Sequence, residues 1–193
     1  MSGLNKTDLV AEFTCDSDSR AELAALQLSA AGPESLGILS ELLEDQNPEV
    51  RWWAARSLAD IRSTGAVPLL LIALQDSDPG VQQCSALALR CQPDSRAIPQ
   101  LVALLGAEDR LLSRLAGDAL IAIGEDAVPA LIAVMDDGSQ PSKLEAVRAL
   151  ALIGDTHAIP ILIRALDQDS AVMEHWAEQG LEKMGVGMVF FEP

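Results

Sequence analysis

The sequence predicts an all-α protein, a right-handed α-α superhelix (solenoid) of about five helical hairpins behind a capping helix. Three observations carry this prediction. An Ala-[Val/Ile]-Pro triplet recurs at Ala66-Val67-Pro68, Ala97-Ile98-Pro99, Ala127-Val128-Pro129 and Ala158-Ile159-Pro160, with prolines 31, 30 and 31 residues apart. Each proline opens a stretch with apolar residues at i, i+3, i+4 and i+7, the spacing of one helix face. The composition is 49% hydrophobic but 3% aromatic, with no Tyr, and such a Leu, Ala, Ile and Val core suits close-packed helix pairs.

Taken in order, residues 1–16 are polar and non-periodic and are expected to form a mobile tail. Ser19 to Ala31, with Leu23, Leu26 and Leu28, reads as the capping helix. Repeats are then expected at about 33–64, 65–95, 96–126, 127–156 and 157–187, followed by a C-terminal cap over 188–193. Their first helices carry Leu36, Leu39 and Leu43, then Val67, Leu70, Leu71 and Leu74, and the stripe returns as Ile98, Leu101, Val102 and Leu105. It continues as Val128, Leu131, Ile132 and Met135, and as Ile159, Leu162, Ile163 and Leu166. Proline in a first helical turn is tolerated because that N–H lacks a helical partner.

A polar turn follows, and Asn47-Pro48 and Asp78-Pro79 join an N-cap to Pro at the first helical position. Inward positions of the second helices are Val50, Ala54, Leu58 and Ile61, echoed by Val81, Ser85, Leu89 and Gln92 and by Leu112, Ala116, Leu120 and Ile123. The last two sets are Ser142, Ala146, Leu150 and Ile153, and Met173, Ala177, Leu181 and Met184. Gly65, Gly124, Gly154 and Gly185 mark helix ends where a left-handed residue is expected. Met188-Val189-Phe190-Phe191 reads as an apolar hook, either a cap on the last repeat or a docking peptide.

Charge narrows the function. Thirteen basic against twenty-nine acidic residues give −16, the wrong sign for general attraction to nucleic acid or to anionic membranes. No apolar run reaches the roughly 20 residues of a membrane span. The Met-Ser-Gly-Leu-Asn-Lys start lacks the parts of a signal peptide, so a cytoplasmic protein is expected. Cys15, Cys84 and Cys91 form no C-x-x-C pair. Cys84 and Cys91 lie about 10 Å apart along one helix, too far for a disulfide, and all three read as small buried thiols.

Chemistry-bearing motifs are sparse. His157 and His175 sit in no H-E-x-x-H pattern, and no G-x-S-x-G, Walker A or dinucleotide fingerprint occurs. Asp136-Asp137-Gly138-Ser139 lacks the other ligands of a calcium loop and reads as a longer turn. No catalytic residue, metal ligand or cofactor is predicted.

The order A-[Val/Ile]-P-x-L-[Leu/Ile/Val], then D-x-x-V, then A-x-x-x-L-x-x-[Ile/Met]-G resembles the short HEAT-like repeat named after the phycobiliprotein lyases. The likeness covers about 150 residues, so 17–193 is expected to be a single HEAT-like repeat domain. That family often forms a ladder between a turn Asp or Asn and an Arg early in the second helix. Asn47 with Arg51 keeps it, whereas Gln82, Ser113, Lys143 and Glu174 replace the Arg later. Stacking in the later repeats is therefore expected to rest mainly on apolar contacts. The His-Glu dipeptides of iron hydroxylases built on HEAT-like repeats are absent.

The resemblance implies that second helices line a concave face. Counting from each proline puts Trp52, Trp53, Arg56, Leu87, Arg114, Leu115, Asp118, Arg148, His175 and Trp176 on its open positions. Trp and Arg anchor interfaces through rigid buried area and bidentate pairing. The main expectation is thus a non-catalytic scaffold or adaptor gripping a partner protein or peptide, as one member of a hetero-oligomer. The alternative implied by the resemblance is a bilin lyase or isomerase subunit acting on a linear tetrapyrrole and a partner's cysteine. Arg56, Arg114 or Arg148 would then meet propionates, with Trp52 or Trp53 stacking on pyrrole rings.

Overall fold

A computed structural model describes residues 5–15 and 17–186, and the expected C-terminal hook at 188–191 lies outside them. Among the described residues every regular element is helical. Two helices come first, α1 (Lys6–Phe13) and α2 (Asp18–Ala31). Five hairpins follow: α3 (Leu36–Leu43) with α4 (Pro48–Asp60), α5 (Val67–Ala73) with α6 (Pro79–Cys91), and α7 (Ile98–Leu104) with α8 (Arg110–Ile123). The last are α9 (Val128–Asp137) with α10 (Gln140–Ile153), and α11 (Ile159–Leu166) with α12 (Ala171–Lys183). No helix among them is long and apolar enough to cross a membrane.

The Ala-[Val/Ile]-Pro triplet divides its labour. Ala66, Ala97, Ala127 and Ala158 are all fully buried, whereas the following prolines at 68, 99, 129 and 160 are exposed. Alanine fits the close approach, and proline starts the helix from the solvent side. Each second helix is capped by the residue before it: Asn47 accepts from the Glu49 amide, Asp78 from Gly80 and Val81, and Asp109 from Leu111 and Leu112. Ser139 and Ser170 do the same for Ser142 and Met173. These side chains satisfy amides that have no helical partner.

Several local expectations change. Residues 6–13 form a helix rather than a tail, because Asn5 caps it onto Asp8 and Leu9 and Phe13, one turn apart, are both fully buried. Gly124, Gly154 and Gly185 take φ of +75° to +80°, but Gly65 does not. Its need is space, since a Cβ there would stand 2.8 Å from Leu36 Cδ1. Asp136 and Asp137 belong to the last turn of α9 rather than to a long loop. Ile163 is exposed and Ile161 takes its place in the core. Cys84 is buried as expected, Cys15 is half-buried, and Cys91, at the end of α6, is exposed.

The stretch read as one domain divides into two compact units, Met1–Gln92 and Pro93–Pro193. The division falls where Gln92 replaces the apolar residue that ends other second helices and Pro93 forbids further helix. Gln92 Nε2 turns back to donate to the Leu58 and Ala59 carbonyls of its own unit. Within the first unit α4 packs on α2 and α6; within the second, α10 packs between α8 and α12. The second helices of each unit therefore form its closely packed inner row.

Candidate functional site

In the first unit α4 presents Trp52, Trp53 and Arg56 on adjoining turns. Phe13 of α1 stacks on Trp53 at 5.9 Å between ring centroids and 11° between planes, and Trp52 meets Trp53 edge-on at 4.8 Å. Both tryptophans remain half-buried and line an open pocket of about 480 Å³ with Asp18, Glu22, Pro48, Glu49 and Asp78. Arg56 is half-exposed and pairs with Asp60 one turn on. Leu87 of α6 is 43% exposed.

Arg51 beside them is fully engaged. Its guanidinium holds both Asp76 carboxylate oxygens at 2.7 and 2.8 Å and donates to the carbonyls of Asp45 and Gln46. Burial works to raise the Asp76 carboxyl, but hydrogen bonds from Arg51 and from the Asp78 and Ser77 amides outweigh it and hold the group below its ordinary value. This is the one ladder rung the sequence retains. Burial pushes the nearby Cys84 thiol up to about 11, so it stays protonated near neutrality.

The second unit gathers Arg114, Asp118 and Arg148, but of the three only Arg114 is open to a partner. Arg148 is only 2% exposed, pairing with Asp118 at 2.8 Å and Glu145 at 2.7 Å and donating to the Arg114 carbonyl. Its expected place on an open face is wrong because Gly117 leaves room for it: a Cβ at Gly117 would stand 2.6 Å from Arg148 Nη2. Asp118 is likewise turned to an internal partner. Arg114 is about half-exposed, with looser contacts to Asp118 at 3.8 Å and Glu145 at 4.0 Å. Leu115 is half-buried, His175 exposed and Trp176 half-buried against the His175 ring.

The sequence reading missed the groove beside these residues. It measures about 620 Å³ and runs past the starts of α8, α10 and α12, with Arg110, Ser113, Pro141, Leu144, Glu145 and Met173 among its walls. Arg110 is exposed and lies one turn before Arg114 on α8. The signal was the i, i+4 arginine pair, which the repeat count passed over because Arg110 precedes the register used for the open face. Polar links between hairpins also occur outside the ladder: Arg164 pairs with Asp136, and Lys183 Nζ donates to the Leu152 carbonyl. Later stacking thus does not rest on apolar contacts alone. Among the described residues no group of three or more His, Cys, Asp or Glu is arranged to hold a metal ion.

Known proteins give these surfaces a context. A phycocyanobilin lyase subunit beta from Nostoc sp. strain PCC 7120 is 37% identical over 78 residues, which are 40% of this chain and 39% of the relative. A phycobilisome maturation protein from Synechococcus elongatus is 33% identical over 94 residues, covering 49% of this chain and 45% of the relative. The match therefore spans less than half the length of either relative. The complex of CpcE and CpcF of phycocyanin lyase from Nostoc sp. PCC7120 superposes with a TM-score of 0.55 at 22% identity, over 96% of this chain and 79% of that one. These relatives overturn the expectation of a non-catalytic scaffold, since their names describe a lyase subunit and a phycobilisome maturation protein rather than adaptors. Repeat composition alone carries no such information, because one fold hosts both kinds of function. Residues 35–121 and 98–182 match the family described as HEAT repeats, and the chain belongs to that family.

Proposed function

We propose that the chain is one subunit of a bilin lyase-like assembly, handling a linear tetrapyrrole while a thiol of a partner protein is joined to it or released. The observation that carries this is the 37% identity to a phycocyanobilin lyase subunit. The word subunit in that relative's name supports a hetero-oligomer, and the same proposal sets the assembly in the cytoplasm.

The second unit's groove is the better seat for the pigment. A linear tetrapyrrole is a long conjugated strip carrying two propionates. Pro141, Leu144 and Met173 offer apolar wall and Arg110 a cation, while exposed Arg114 stands outside the lining, one helical turn along α8 from Arg110, about 5–6 Å between Cβ atoms. Guanidinium groups pair bidentately with carboxylates, and about 620 Å³ lies within the range of small-molecule sites. Held this way, the pigment keeps a fixed edge toward an approaching thiol, which lowers the entropic barrier to reaction. Arg148 plays no part, because its charge is already matched inside the protein. The groove's Glu145 is paired with Arg148 and its Glu108 is accompanied by Arg110, whereas the pocket at Trp52 and Trp53 is rimmed by carboxylates with no cation among its lining residues, which repels propionates.

Titration with phycocyanobilin, read by its visible spectrum and by Trp176 fluorescence, tests the proposal. A saturable spectral change is expected, weakened about tenfold or more in Arg110→Gln/Arg114→Gln, as loss of charge-assisted hydrogen bonds requires. No change with the chain alone or together with a companion lyase subunit would overturn it.

A further inference from the structure

The pocket of the first unit has a character the tetrapyrrole does not use. Its walls are two indoles, and its rim carries Asp18 and Glu22 of α2, Glu49 of α4 and the α6 cap Asp78, with no Lys, Arg or His among the lining residues. Asp18 and Glu22 are one turn apart and exposed, as is Glu49. None of these three carboxylates has an ion-pair or hydrogen-bond partner among the described residues. Elsewhere in the unit Glu12 is paired with Arg20 and Asp60 with Arg56.

Helix-start carboxylates such as Asp18 and Glu49 favour their own helices through the dipole, but Glu22 lies beyond the first turn. The aromatic wall is also built and held. Phe13 stacks on Trp53, and Trp53 supports Trp52 edge-on. An indole face attracts a cation through its quadrupole, and unpaired carboxylates around it add Coulomb attraction of the same sign. We propose that this pocket receives a Lys or Arg side chain from a basic segment of a partner protein. Complementarity of charge selects that occupant: an anionic or purely apolar segment would leave three carboxylates facing it uncompensated. The inference goes beyond the tetrapyrrole reading and stands on a different unit.

The probe is an octapeptide of alternating Lys and Arg, titrated into the full chain carrying Trp176→Phe so that only Trp52 and Trp53 emit. Saturable fluorescence change is expected at low salt, falling as salt screens it. Glu22→Gln/Glu49→Gln should weaken binding about tenfold, and Trp52→Ala by a similar factor. Since a chain of net charge −16 attracts any polycation, Glu178→Gln/Glu182→Gln, at two exposed positions of α12, removes the same charge elsewhere. That control should change affinity less than about twofold if the site rather than net charge is responsible. Equal weakening by the two double variants, or no binding at low salt, would overturn the proposal. So would displacement of the peptide from Trp52 by phycocyanobilin, which would reassign the pocket to the pigment. Because the peptide assay needs no tetrapyrrole, its failure and that of the lyase reading are separately visible.

Discussion

Within Met1–Gln92 the link between hairpins sits at the turn: Arg51 reaches from α4 into the next turn and holds Asp76 with two hydrogen bonds. Within Pro93–Pro193 that position is occupied by Ser113, Lys143 and Glu174, and the link moves to mid-helix, where Arg148 of α10 is buried between Asp118 and Glu145. The first unit adds aromatic cover from α1, with Phe13 on Trp53. The second uses close backbone approach, since a Cβ on Gly180 of α12 would come within 2.8 Å of Ala151 Cα. The difference teaches that the apolar stripe alone defines the repeat. A polar cross-link can migrate along the helix provided every buried charge keeps its partner.

Substitutions should break the two units independently, because stability in repeat proteins is a sum over local units and their neighbours. The largest effect is expected from Arg148→Ala, about 4 kcal/mol lost in the second unit because the half-buried Asp118 and Glu145 lose their counter-charge and the buried side chain leaves a hole. Urea unfolding followed by Trp176 in a Trp52→Phe/Trp53→Phe background measures it. Phe13→Ala should cost the first unit about 3 kcal/mol, the range for deleting a buried aromatic, with α1 amides exchanging freely with solvent.

Arg51→Ala should cost about 2–3 kcal/mol, read from Trp52 and Trp53. Its pH dependence sharpens the comparison. Asp76 is held below its ordinary value in the folded state, so its contribution is fully present above the unfolded value near 4 and is lost as pH falls through the lower folded value. The gap between wild type and Arg51→Ala should therefore be constant at neutral pH and narrow below about pH 4. Gly180→Ala should cost about 2 kcal/mol net, since a Cβ forced against the Ala151 backbone outweighs the better helix propensity. A cost confined to Trp176 reports would confirm its locality.

Much of the fold was legible because the period and the 3.6-residue stripe are properties of local sequence. Ala54, Ala116, Ala146 and Ala177, placed inward by counting from each proline, are all fully buried. The first helix escaped that count, since Leu9 and Phe13 belong to no repeat and their partner Trp53 lies 40 positions away. Arg148 shows the limit for the site. Its register predicts an open face, but its burial depends on a glycine in the neighbouring hairpin and two carboxylates, a long-range fact that one helix's periodicity does not contain. Arg110 was overlooked for the opposite reason: its significance lies in a groove shared by three helix starts.

The tetrapyrrole role is tested most directly by bilin transfer. The chain and a companion lyase subunit are incubated with phycocyanobilin and an acceptor apo-phycobiliprotein, or with its pigmented form, and pigment covalently held by the acceptor is followed on a denaturing gel. A lyase-like subunit gives chain-dependent gain or loss of bound pigment, strongly reduced by Arg110→Gln/Arg114→Gln and unaffected by Glu178→Gln/Glu182→Gln. Pigment attachment and release that proceed at the same rate with and without the chain would contradict that role.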